Sequence, residues 1–301
     1  MPEQPLVSVI TAFYNARPFL AEAIASVLAQ TYTNWEYWLV NDGSTDGSDE
    51  IACSAAAANP ERIFYLEHPN GENLGVCTSR NLGLQHARGR YVAILDADDV
   101  WCANKLQEQM TLAQQFPRAG LICGNSKYWK SWNGTASERE DSVPPLAPAD
   151  HMYAPVELIR LNYPLGSYGA PCPSNLLIKT NVCRAMGGFE ESFNRNQVFE
   201  DQAFLTKLYA STHVYIADRT WDYYRLHEDS CCSVAEKSGR VEESRKFYLE
   251  WLRDYLQSQE IWDERIWEAW RRATLPYRHP ALYSLTRITS KLRRGLRGIG
   301  A

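Results

Sequence analysis

Short β-branched and aromatic runs alternate with helically spaced apolar positions through the first hundred residues. Val7-Ser8-Val9-Ile10-Thr11-Ala12-Phe13 reads as a buried strand. Pro18 falls where a first helical turn accepts proline, and Leu20, Ile24, Val27 and Leu28 supply a helical apolar face. Trp35 to Val40 predicts a second strand. It stops abruptly at Asn41-Asp42-Gly43-Ser44-Thr45-Asp46-Gly47-Ser48, where Asp46 or Ser48 can cap the alanine-rich helix that follows. Arg62 to Leu66 predicts a third strand, residues 74–87 a helix closed by Gly89, and Tyr91-Val92-Ala93-Ile94-Leu95 a fourth, very apolar strand. That strand ends at Asp96-Ala97-Asp98-Asp99. The alternation predicts an α/β, Rossmann-like fold: a mostly parallel sheet with helices on both faces and ligands beyond the carboxyl ends of its strands. The polar clusters fall at those ends.

The later pattern is less regular. Residues 127–150, rich in Ser, Glu, Asp and Pro, read as an inserted loop. A short strand over Asn175–Ile178 precedes a Gly187-Gly188 turn, and a helix is expected over 200–210. After Gly239, Phe247, Leu249, Trp251, Leu252, Tyr255 and Leu256, then Ile261, Trp262, Ile266 and Trp270, recur at helical spacing. The expected organisation is a domain over 1–235, with a donor half (1–125) and an acceptor half (126–235), followed by a helical appendage over 236–301.

The chain has 301 residues and a net charge of −5, a balance that argues against nucleic acid as partner. Its start lacks a basic n-region, and no run approaches the roughly 20 apolar residues that span a bilayer. A cytoplasmic location is therefore expected. Leu285, Ile288, Leu292, Leu296 and Ile299 fall on one helical face, with Arg287, Lys291, Arg293, Arg294 and Arg297 around the remainder. A basic amphipathic segment over 285–299 leaves two readings open, a tail docked on the protein and a peripheral contact with the inner face of a membrane. The eight cysteines form no CxxC pair and match no zinc framework, so they read as small buried residues or free thiols.

Asp96 and Asp98 stand two apart at a strand end. In an extended segment both would face one point while Asp99 turns away. Two carboxylates there could hold Mg²⁺ or Mn²⁺, its shell completed by substrate phosphates and water. A capped helix start beside a solvated loop is the plain alternative. The segment Ile94-Leu95-Asp96-Ala97-Asp98-Asp99-Val100 also fits a haloacid-dehalogenase phosphatase motif, although such a motif normally opens the fold and here an αβ array precedes it.

Together, Val7 to Asn15, Asp42 to Ser48, Arg80-Asn81 with Gly83, and Asp96 to Asp99 resemble family 2 glycosyltransferases in order and spacing over about the first 125 residues. The chain departs from the family's usual pattern at Ala12, where proline is common, and at Arg17, where an acidic residue often stands. The resemblance implies a GT-A fold and an inverting, metal-assisted transfer from a nucleotide diphosphate-sugar, often a uridine one, to a saccharide or lipid-linked acceptor. It further implies that Thr11, Ala12, Phe13, Tyr14 and Asn15 line the nucleobase and ribose pocket and that Asp42 accepts a hydrogen bond from the base. Arg80 would pair with a carboxylate or the diphosphate, with Asp96 and Ala97 near the ribose and Asp98 the main metal ligand. Gly187-Gly188-Phe189-Glu190, followed by Phe199-Glu200-Asp201, resembles the family's later motif, which makes Asp201 the catalytic base and Glu200 its neighbour on the acceptor side. Arg225 and His227 resemble a pair found near the metal and diphosphate in many members. A chain that kept this fold and lost catalysis would be a sugar-nucleotide-binding scaffold; it should lack the base or the metal ligand, and Asp201 and Asp98 are both present.

Overall fold

The computed structural model describes residues 4–134, 140–194 and 198–279; the basic segment 285–299 lies outside the described residues. The first elements are β1 (Val7–Phe13), α1 (Leu20–Leu28), β2 (Trp35–Asn41), α2 (Ser48–Ala58), β3 (Ile63–Glu67), α3 (Val76–His86) and β4 (Tyr91–Ile94). They follow the order read from the sequence. α1 buries Leu20, Ala23, Ile24 and Val27, whereas Leu28 is 46% exposed. At 3.6 residues per turn the face that starts at Leu20 closes on Val27, one position before Leu28. Pro18 stands in the turn before the helix rather than in its first turn.

The chain continues through β5 (Val100–Trp101), α4 (Lys105–Gln115), β6 (Ala119–Trp129), β7 (His151–Tyr153), α5 (Glu157–Leu161) and β8 (Leu177–Lys179). It ends with α6 (Thr180–Ala185), α7 (Glu200–Ser211), β9 (His213–Arg225), α8 (Cys231–Lys237), α9 (Val241–Ser258) and α10 (Glu264–Arg278). β6 runs two residues past the start of the expected loop, and Tyr128 bridges Ser142 across it. The long strand β9 has no clear two-residue alternation, because exposed Asp218, Arg219 and Thr220 interrupt it at a register shift.

The sheet order is β3-β2-β1-β4-β8-β6-β9-β5, with β7 on β9. β1 to β4 are mutually parallel. β8 is antiparallel to β4 and β6, whereas β6 and β9 are parallel. β1 is flanked by β2 on one side and β4 on the other, so a crevice opens beyond the carboxyl ends of β1 and β4, the usual ligand position in open α/β sheets.

Two apolar layers cover the sheet. Val7, Val9 and Leu39 join α1, α2 and α4 on one face; Ile10, Val40 and Ile178 join α3, α7, α9 and α10 on the other. Leu249, Leu252 and Leu256 of α9 are fully buried in this second layer. At about 1.5–3 kcal/mol for each buried side chain, α9 is an integral part of the core. Gly83 sets the depth of α3, since a Cβ there would come within 2.6 Å of Ile10. That close approach lowers Arg80, one turn earlier, onto the strand ends.

Among the described residues no helix is long and apolar enough to cross a membrane. All eight cysteines are free: Cys77, Cys123, Cys172 and Cys183 are buried, and Cys53, Cys231 and Cys232 are exposed.

Candidate active site

The crevice floor is the turn after β4. It is not extended, as the Asp-Ala-Asp spacing suggested: the Asp99 N–H closes on the Asp96 carbonyl at 3.1 Å. A hidden hydroxyl sets this turn. Ser174 Oγ accepts from the Asp96 N–H at 3.0 Å and donates to Asp99 Oδ2 at 2.6 Å. Asp99, fully buried, also accepts from the Arg225 N–H at 2.9 Å. Burial first, then the charges of Asp98 and Asp96, push its carboxyl well above the usual carboxylate range. Asp99 therefore turns away from the crevice as expected, through a turn instead of strand alternation.

Arg80 joins the two halves of the site. Its Nη2 donates to Asp96 Oδ1 at 2.6 Å and its Nη1 to Asp201 Oδ1 at 3.0 Å. The guanidinium side chain is 4% exposed, whereas Asp96 and Asp201 are 23% and 34% exposed. Burial raises the Asp96 carboxyl to about 6, with Arg80 opposing and Asp201 and Asp98 reinforcing the rise. Next along α3, Asn81 exchanges two hydrogen bonds with the Phe189 backbone, at 2.8 and 3.0 Å. The Gly188-Phe189 turn is thus fastened to the helix that carries Arg80. Phe199, at φ 90°, holds a left-handed conformation unusual for a bulky residue and stacks on Tyr248 at 5.6 Å. This bend opens α7 with Glu200 and Asp201 aimed at the crevice. Burial and the adjacent Asp201 charge raise Glu200 to about 8.

Asp98 lies on the other side of the turn. Its Oδ2 is 3.0 Å from His227 Nε2, and His227 Nδ1 is buried without a partner. No third His, Cys, Asp or Glu completes a metal cluster among the described residues. Asp98 and His227 fit a hard divalent cation that takes two protein ligands and fills its remaining positions with phosphate oxygens and water. Asp96, engaged by Arg80, stands apart from that pair. Arg225 is committed elsewhere: Nε donates to the Asp98 carbonyl at 2.7 Å, Nη2 pairs with Glu22 at 2.6 Å, and the guanidinium lies over Phe19, Trp129 and Trp132. Its Nε thereby supports the β4 turn through the Asp98 carbonyl.

At the end of β1, Thr11 and Phe13 turn into the core, and Thr11 Oγ1 donates to the Leu95 carbonyl at 2.7 Å. Ala12 and Asn15 face outward with Tyr14, which is 54% exposed. Asn15 is tied to the loop after β2, its Oδ1 accepting from the Thr45 N–H at 2.8 Å. Neither Asp46 nor Ser48 takes the N-cap position of α2, which is Gly47 at φ 86°; Asp46, just before it, accepts from the Ser48 and Arg17 N–H groups at 3.0 and 2.9 Å. Asp42 is buried, its Oδ1 accepting from the Leu74 and Gly75 N–H groups at 2.8 and 3.1 Å. That carboxylate anchors the turn leading into α3. Ser174 and Glu22 carry no local signature of a site residue: each acts through a partner more than 70 positions away.

A family model described as "Glycosyl transferase family 2" matches residues 8–183. The chain is 30% identical over 260 residues to glycosyltransferase GlyG of Streptococcus pneumoniae, covering 84% of this chain and 77% of that protein. It is 44% identical over 124 residues to the putative teichuronic acid biosynthesis glycosyltransferase TuaG of Bacillus subtilis, covering 41% of this chain and 48% of that one. The match thus spans about half of TuaG's length. Among solved structures, S. aureus TarS 1–349 in complex with UDP-GlcNAc superposes with a TM-score of 0.66 at 18% identity, over 93% of this chain and 75% of that one. The shared arrangement is the GT-A fold.

Proposed function

The chain belongs to glycosyl transferase family 2, and from that premise we propose that it transfers a sugar, with inversion, from a nucleotide diphosphate-sugar to a saccharide or lipid-linked acceptor. The observation that carries this reading is the Asp96–Arg80–Asp201 bridge, which sets a candidate base at a fixed place relative to the β4 turn. Arg80 occupies Asp201 Oδ1 and leaves Oδ2 to take the proton of an attacking hydroxyl. Inversion needs this geometry, with the base on the acceptor side and the departing diphosphate opposite. The exposed edge of Ala12, Tyr14 and Asn15 would receive the nucleoside. Asp98 and His227 would hold Mn²⁺ or Mg²⁺, which when bound neutralises charge on the leaving diphosphate. The family resemblance favours a uridine donor, while neighbours of this fold bind UDP-GlcNAc and GDP-Man alike.

Calorimetry of UDP, GDP and dTDP, each with and without Mn²⁺, tests the donor site. One diphosphate is expected to bind in a metal-dependent way and to lose at least about tenfold in affinity in Asp98→Ala. If none binds under either condition, the chain is a scaffold of the same fold and not an active transferase.

A further inference from the structure

A cavity of about 480 Å³ lies outside the site described so far, lined by Tyr163, Leu165, Glu242, Arg245, Arg272 and Pro276 among others. Its volume falls within the range of small-ligand pockets, roughly 300–1,000 Å³. The helices place it. Tyr248 near the middle of α9 stacks on Phe199 and shares a 2.8 Å hydroxyl contact with Thr206, and Tyr255 further along meets Ser211 in a surface groove. α9 therefore runs beside α7 in the same direction, and its first turns stand level with Glu200 and Asp201. α10 returns antiparallel: Trp270 Nε1 donates to the Leu249 carbonyl at 2.8 Å, and the Tyr277 hydroxyl donates to Glu242 at 2.6 Å. The cavity between these helix ends thus opens at the catalytic end of the layer. Only two rings separate it from the base, since Tyr163 lies 6.0 Å from Phe199, which directly precedes Glu200 and Asp201.

Two guanidinium groups and one carboxylate line the cavity. Arg245 donates to the Tyr277 hydroxyl at 2.7 Å and to the Ala273 carbonyl at 3.4 Å, and Arg272 is exposed. Neither guanidinium has an ion-pair partner among the described residues. The single carboxylate in the lining, Glu242, already accepts from Tyr277. Tyr163, 44% exposed, offers a ring face of the kind sugars stack on.

We propose that this cavity is an acceptor subsite that binds an oxyanion carried by the acceptor near its reacting hydroxyl. Tyr163 packs on the adjoining sugar, and Arg245 and Arg272 supply the cationic contact. The subsite rests on the transferase reading above and deepens it. Forked guanidinium donors suit phosphate and carboxylate alike, so the oxyanion could come from a lipid diphosphate or from an acidic sugar.

The test compares three acceptors on the full chain: a saccharide bearing an alkyl diphosphate, one ending in a uronic acid, and the neutral alkyl glycoside. Release of nucleoside diphosphate measures transfer. At least one charged acceptor is expected to show a kcat/KM roughly tenfold above the neutral one, through KM. Arg272→Gln, at an exposed position, should bring that ratio near one, and Glu242→Gln should raise it. Which charged acceptor gains identifies the source. Equal ratios in wild type, or an Arg272→Gln effect that is the same for all three acceptors, would overturn the subsite. If no donor turns over in wild type, the transferase reading fails by itself. Direct calorimetry of the same three saccharides then decides the cavity, through the difference between wild type and Arg272→Gln. Any oxyanion bound at the donor site cancels in that difference, and a zero difference rejects the proposal.

Discussion

Arg80 and Arg225 are buried alike, each 3% exposed, yet they do different work. Arg80 sits between two carboxylates that both open to the crevice, Asp96 and Asp201. Arg225 is wedged among Phe19, Trp129 and Trp132, with one half-exposed carboxylate, Glu22, and a backbone carbonyl as its polar partners. Burial alone therefore does not mark a charge as part of the chemistry. What separates the two is whether the partners themselves face the space a substrate would occupy. Arg80 ties reactive groups to each other, and Arg225 ties a loop to the body of the protein.

The sharpest test removes what Arg80 holds. Asp201→Asn is expected to lower kcat by about 10²–10⁴-fold while nucleotide affinity measured by calorimetry stays within roughly threefold. A loss of nucleotide affinity as large as the loss of kcat would move Asp201 out of the base role. Next in size, Arg80→Met leaves two acids facing each other without their cation and should cost about 3–5 kcal/mol in urea unfolding. Arg225→Met keeps the aromatic packing and strands Glu22, which water can reach, and the Asp98 carbonyl, so its cost should be about 1–3 kcal/mol. The contrast between the arginines collapses if that order is reversed.

The smallest effect is a slope. Glu200 binds its proton more tightly folded than unfolded, with its carboxyl raised to about 8 from an ordinary 4.5. The folded chain then retains a proton that the unfolded chain releases, and stability contributed below pH 4.5 is lost as pH rises toward 8. Asp96 and Asp222, each raised to about 6, add to the fall over its lower part. Thermal melts of wild type should therefore drop between pH 5 and 8, and those of Glu200→Gln should drop less, most visibly above pH 6. Parallel curves would place Glu200 in open solvent.

The donor half was readable because each of its motifs lies at the end of an apolar run, where parallel-sheet topology forces ligand-facing loops. Strand and helix order through β4 followed from that pattern alone. Asp99 turns away from the crevice as strand alternation predicts, but its direction depends on Ser174, 75 residues away. The resemblance to a family pair with His227 points to Arg225 as a site residue; its burial among aromatic rings from residues 19, 129 and 132 is a tertiary fact with no local signature. β9 lacks a local signature for a related reason: it buries Asp222, whose Oδ1 accepts from Asn175 while Oδ2 has no partner, and an aspartate among its own neighbours reads as a surface strand.

The fastening of α3 bears on how this scaffold can be re-engineered. Within six residues this helix receives Asn194 on the Cys77 N–H, places Arg80 on Asp201 and locks Asn81 to Phe189. A graft that exchanges only residues 187–211 for those of a relative with another acceptor would replace the side chains of Asn194 and Asp201 and keep the Asn81 tie only if the turn at 189 holds its shape. The transplantable unit is discontinuous: a new acceptor loop has to arrive together with the matching residues at 78, 80 and 81, although more than a hundred positions separate the two pieces in the gene.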